Sequence, residues 1–585
     1  MRFALLLAAL LLLSALTACG SETPADTPTP VPAQAPAPTP TAIPTATPAS
    51  PVTSPATPTA APEPTEAQQG RISTAPAEIE GNPVDGGVLQ LLGSDPPTLD
   101  PHQTGDATSA RYILEVFGGL LTINPELAIV PDIAESWAVE PDGMGYTFQL
   151  NPAATFHDGR GVTATDAQWS LERASDPATG SPYTDTYLGD IVGVKAKLNG
   201  EADSVSGVSV IDEETLRVEI DAPKAYFLAK LTYPASFVLD RSNVETGRDW
   251  IRSPNGTGPF ILAEYEPGEW MRLERFGGYH LGPAMLDAVE FNLAGGDGLL
   301  MYENDEIHFG GVGQSLLERF RDPNDPLHGQ LHQGPPKFDT TYIGMNASEP
   351  PFDDINVRLA LNYAIDRETL TGVLLEDTAV PSKGILPPGF PGYNPGLEGY
   401  EFNPEKARQL LAQSKYGSDT ANYPPITMTL PGSFGSPVGP VMQALLVGWE
   451  EQLGITMDLL QTEWATYLED LRDGRFQIFG GLGWIADYPD PENFLDVLFH
   501  SESDNNHTHY SDPELDALLE RARLEPDQES RFALYHQAEQ MILDGAPWVP
   551  LWHSSGDHFL IKPYIKGLPL SPLVIPRLRY VYFIE

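Results

Sequence analysis

Cysteine is nearly absent from this chain: Cys19 is the only one in 585 residues. A single thiol excludes an intramolecular disulfide framework and a cysteine-built metal centre, so the folded body depends on its apolar core. Positive charge is scarce as well, with 33 Lys and Arg against 81 Asp and Glu, a formal net charge of −48. Such a surface repels phosphate backbones, which excludes nucleic acid as a partner, and it repels anionic lipid headgroups too. No apolar run reaches the ~20 residues of a spanning helix. The nucleophile elbow G-x-S-x-G and the zinc motif H-E-x-x-H are missing, and no nucleophile is seen with a positioned base, so no catalytic residue is assigned. What the chain does have is material for a core: 41 % of its residues are hydrophobic and 9 % aromatic.

The N-terminal 80 residues divide in two. Residues 3–13 are an unbroken run of Phe, Ala and Leu behind Arg2, and the segment closes on Leu16, Thr17, Ala18, Cys19 and Gly20. A charged start, an apolar centre of roughly 7–15 residues and small residues before the cut form a secretory signal. The cysteine directly after them resembles the lipobox of bacterial lipoproteins. That resemblance implies a signal peptide over 1–18, a lipidated Cys19 and attachment to a membrane by acyl chains, of which two anchor stably where one does not. From residue 19 to 83 Pro, Thr and Ala dominate. Such a stretch buries too little apolar surface to fold, and proline holds it extended, so it reads as a disordered linker reaching on the order of 100 Å. Ordered structure is expected from near Gly86.

About 500 residues remain, enough for several domains. Strand-like runs at 88–92, 215–220, 260–265, 271–275 and 426–430 interleave with helical stretches at 356–365, 404–413, 439–453, 465–473, 513–522 and 528–543. Interleaving of this kind predicts α/β lobes with open sheets.

Short blocks are spaced along this body. They run from Pro97-Thr98-Leu99-Asp100-Pro101-His102 through Phe117-Gly118-Gly119-Leu120, Ala134-Glu135-Ser136-Trp137 and Phe156-His157-Asp158-Gly159 to Gly256-Thr257-Gly258-Pro259-Phe260. The second half adds Asn356-Val357-Arg358, Ala364-Ile365-Asp366-Arg367, Pro387-Pro388 and Gly483-Trp484-Ile485-Ala486-Asp487-Tyr488-Pro489-Asp490-Pro491. Taken singly, several have structural readings: Asp142-Gly143 and Asp158-Gly159 are tight turns, Gly256 to Pro259 is a bend feeding a strand, and Asp366 and Arg367 close a helix. In order and spacing together, the chain resembles the extracytoplasmic solute-binding proteins of peptide and nickel ABC importers, the family 5 group with oligopeptide- and dipeptide-binding members. The resemblance implies an α/β, two-lobed periplasmic-binding-protein-like fold of the cluster C type with a two-strand hinge. Lobe I is expected over 84–337, with an extra subdomain at about 120–190, lobe II over 338–552, and a return to lobe I over 553–585. It also implies no cofactor, a single copy, and a lipid-anchored receptor on the outer face of the bacterial cell membrane. Such a receptor passes a peptide or other small solute to an ABC permease in the cytoplasmic membrane.

The ligand site is expected on the segment 483–495, read as a stiffened loop at a strand's carboxyl end, where open α/β sheets bind ligands. In peptide-binding relatives the first Asp of this loop pairs with the ligand's α-ammonium, which by resemblance falls on Asp487. Trp484 offers a flat face for a side chain or a cation, and Tyr488 and Asp490 are further candidates. Phe434, in a glycine-rich loop, and Asp106 and Tyr112 from the other lobe complete the expected cleft. Dipeptide-binding relatives hold the ligand carboxylate with an Arg in the loop that here runs 431–437 and has no basic residue. A longer peptide or a cationic non-peptide solute is therefore favoured over a short peptide. Other readings remain open: a surface hydrolase acting on peptide or glycan, a module that has lost its ligand, or a receptor for a nickel chelate, sugar or opine. His500, His507, His509 and Asp504 hint at metal, but lie in a polar loop without a tight ligand set, so no metal is assigned.

Overall fold

Turn and cap residues set the element boundaries. The computed structural model describes residues 79–376, 378–432 and 438–585, so Cys19, the linker up to residue 78 and Phe434 lie outside the described residues. Asn403 caps the helix Pro404–Gln413 by accepting from the Lys406 N–H, and Asp512 caps Pro513–Leu524 in the same way through Glu514. Gly454, with φ of 69°, ends Pro440–Leu453. That left-handed geometry is one that glycine adopts at no steric cost. Asp142-Gly143 joins the antiparallel strands Ala134–Val139 and Gly145–Leu150, with Gly143 at φ 73°. The strand Pro83–Val84 already pairs with Tyr582–Ile584, so order begins slightly ahead of Gly86.

Two main sheets carry the lobes. One has seven strands in the order Leu331–Gln333, His558–Ile561, Phe309–Gly311, Val88–Leu92, Ala288–Asn292, Trp270–Arg275 and Phe260–Glu266. The other has six, in the order Ala379–Pro381, Trp548–Ser554, Asp339–Met345, Ile478–Ile485, Thr427–Pro431 and Asp458–Thr462. A four-stranded antiparallel sheet, Ala134–Val139, Gly145–Leu150, Thr215–Glu219 and Val208–Asp212, forms a further layer. The chain passes from the first main sheet to the second between Gln333 and Asp339, and returns between Ser554 and His558. The two passages lie side by side: the Gly334 N–H donates to Asp557 O at 2.8 Å, and Lys337 pairs with Asp557 at 2.5 Å. The returning segment is tied down by Glu115, whose buried carboxylate accepts from the backbone N–H groups of Arg577 and Leu578. One apolar cluster runs from the four-stranded layer, through Phe148, Phe156 and Phe227, to Tyr488, Phe494 and Trp548 of the second half. Among the described residues no helix is long and apolar enough to cross a membrane.

Candidate functional site

The strand Ile478–Ile485 lies inside the six-stranded sheet, antiparallel to Asp339–Met345, with Trp484 opposite Thr340. The chain then turns through residues 486–491 and enters the helix Glu492–Phe499. The segment 483–495 is thus strand end, turn and first helical turn rather than a loop. This follows from its own chemistry: ladder pairing extends to Ile485, and Pro491 and Glu492 suit the start of a helix.

Asn493, fully buried on that helix, organises the turn. Its Oδ1 accepts from Trp484 Nε1 at 3.2 Å and from the Asp487 N–H at 2.9 Å, while its Nδ2 donates to Asp487 Oδ2 at 3.1 Å. The same carboxylate oxygen accepts from the Tyr187 hydroxyl at 2.5 Å. Tyr187 comes from the short helix Thr184–Leu188 of the first half and stacks on Tyr233, with centroids 3.6 Å apart and planes 5° from parallel. Asp487 makes no ion pair among the described residues. Burial pushes its carboxyl up to about 6, against the opposing hydrogen bonds from Tyr187 and Asn493. A carboxylate held in place and short of a counter-charge is prepared to receive a cation.

Asp487 opens onto a narrow cavity of about 40 Å³ walled by Ala110, Leu114, Thr122, Ile123 and Tyr233 of the first half and by Val574 and Ile575 of the returning segment. A second cavity, bounded by Asp190, Lys230, Glu492, Asp496 and Arg523, is highly charged, but these charges are already paired. Lys230 bridges Glu492 at 2.8 Å and Asp190 at 3.1 Å, and Arg523 forks onto Asp496 with two contacts of 2.6 Å. Burial raises the Glu492 carboxyl while Lys230 pulls the other way.

The other expected site residues divide. Trp484 is half-buried beside Asp487. Tyr488 is fully buried, and its hydroxyl donates to Glu492, so it is a wall of the interior rather than a ligand contact. Asp490 is held by a two-pronged ion pair with Arg531, at 2.9 and 2.7 Å, which consumes the carboxylate. Tyr112 is 1 % exposed, packs edge-on to Phe291 and donates to Ser94 O, so it belongs to the core. Its helix Ala107–Val116 turns the residue inward, a direction sequence spacing alone does not fix. Asp106 caps that helix through the N–H groups of Thr108 and Ser109. His157 exchanges hydrogen bonds with Gly256 and Gly258, as a turn residue does. Burial lowers His507 to about 4, and no group of three or more metal-ligating side chains occurs among the described residues. Sequence reasoning missed Tyr187, Asn493 and the Lys230–Glu492 pair. Only Asn493, six residues from Asp487, was within reach of a local pattern; the others join through the fold.

The family model described as bacterial extracellular solute-binding proteins, family 5 Middle, matches residues 128–506. The periplasmic oligopeptide-binding protein OppA of Escherichia coli (strain K12) is 29 % identical over 514 residues, covering 85 % of this chain and 92 % of that one. Among solved structures, the Escherichia coli murein tripeptide binding protein MppA superposes with a TM-score of 0.78 at 26 % identity, covering 86 % of this chain and 99 % of that one. Against the unliganded open form of MppA the score drops to 0.62 at 27 % identity, with coverage of 87 % and 99 %.

Proposed function

Because this chain belongs to the bacterial extracellular solute-binding proteins, family 5, we propose that it is a receptor that captures peptides, or a related amine-bearing solute, between two closing lobes. Anchored through Cys19 outside the cytoplasmic membrane, it hands the solute to an ABC permease. The observation that carries this reading is Asp487: a carboxylate from the second lobe, oriented by Asn493 and by Tyr187 of the first lobe, with no cation of its own. An ammonium placed there supplies the missing charge and touches groups from both lobes, which is what lets a ligand favour the closed arrangement. The paired passages near Lys337 and Asp557 serve as the hinge. Binding rather than catalysis is the role, since Asp490, the carboxylate nearest in sequence, is spent on Arg531. Isothermal titration with a mixed-sequence peptide library tests this. Asp487→Ala should weaken binding at least 100-fold while leaving the circular dichroism unchanged; equal affinity in the variant removes Asp487 from the site.

A further inference from the structure

The cavity at Asp487 holds one carboxylate and no other charged side chain among its described walls. Ala110, Leu114, Thr122, Ile123, Tyr233 and Ile575 present methyl, methylene, hydroxyl and ring surface to it. The cations on and around the helix Glu492–Phe499 are committed elsewhere: Lys230 to Asp190 and Glu492, Arg523 to Asp496, and Arg531 to Asp490. One negative charge in an uncharged chamber is balanced by one positive charge and no more.

We propose that this chamber selects peptides by their first residue, taking a free α-ammonium that carries an uncharged side chain and excluding free amino acids. The inference rests on the peptide reading above and deepens it. A free amino acid brings its own carboxylate within two bonds of the ammonium carbon, beside Asp487, where no Arg, Lys or His faces it. In a peptide that carboxylate is moved away to the far end and an uncharged amide stands in its place. An Asp or Glu at the first position restores the same repulsion. A Lys or Arg there adds a second cation that the single carboxylate does not balance and that the apolar walls do not solvate. An acetylated terminus removes the ammonium and leaves Asp487 unpaired.

The test uses the full chain in detergent and tetrapeptide libraries randomised at positions two to four, with the first residue fixed as Ala, Val, Glu, Asp, Lys or Arg, read by native mass spectrometry. The Ala and Val libraries should be retained at least tenfold over the four charged ones and over their own N-acetylated forms, with free alanine not retained. Equal retention for all six first residues overturns the selectivity while peptide binding stands. Equal retention of acetylated libraries overturns the placement of the ammonium. Retention of no library overturns the peptide reading and the selectivity with it. A gain-of-function variant supplies an independent arm: Thr122→Asp, at a half-buried wall position, adds a second carboxylate and should raise retention of the Lys and Arg libraries at least fivefold. An unchanged profile in that folded variant contradicts the charge-balance argument.

Discussion

At the scale of a single residue, the proposed function rests on Asp487. Its carboxyl sits at about 6 before a ligand arrives, raised because burial penalises the charged form. An ammonium stabilises the carboxylate and lowers that value, so binding expels a proton wherever the free protein still carries one. The sign follows from linkage: affinity rises with pH up to about 6 and levels off above it, losing up to tenfold per unit on the acid side. It declines again as the ligand's own α-amine titrates near ~8. Calorimetry from pH 4.5 to 8.5 should trace this profile. Asp487→Asn should bind weakly and without the acid limb, which separates this group from Glu492 and Glu539, both also raised by burial.

At the scale of elements, the site is one strand, one turn and one helix pressed against two short helices of the other lobe. Phe227–Lys230 delivers Lys230 to Glu492 on the helix Glu492–Phe499, and both side chains are buried. Removing one partner of a buried pair costs far more than the pair contributes, because the other charge is stranded. Lys230→Met should therefore destabilise the protein by roughly 3–5 kcal/mol. The double variant Lys230→Met/Glu492→Gln should recover much of that loss, as read by urea denaturation; an additive double variant would show that the two residues do not interact. Legibility in the sequence stops at this scale. Strands such as Val88–Leu92 and helices such as Pro404–Gln413 were readable because alternation, caps and prolines are local signals. The motif singled out Asp487 as a candidate, and the structure places its carboxylate on the Tyr187 hydroxyl and Asn493. The placements of Tyr112 and Asp490 were not readable: whether a side chain turns toward a cleft or a core depends on distant partners, Phe291 for Tyr112 and Arg531, 41 positions on, for Asp490. Tyr187 illustrates the limit, since its partner Asp487 lies 300 residues further on.

The molecule as a whole is two sheet-built lobes joined by two adjacent passages, with polar and apolar contacts already meeting across the junction. Tyr187 reaches Asp487, Asn505 donates to Thr186 at 3.0 Å, and the ring of Tyr187 stands edge-on to that of Tyr488. These contacts join the two halves through the protein's own groups; in the proposed function a ligand at Asp487 adds its own contacts to them. The most direct measurement is native mass spectrometry of the protein as purified from rich medium, wild type beside Asp487→Asn, followed by identification of any released solute. The expected result is a peptide or other amine-bearing solute on the wild type and its loss from the variant. A solute without an amine, or the same solute retained equally by both, would contradict the assignment of Asp487 as the group that captures the ligand.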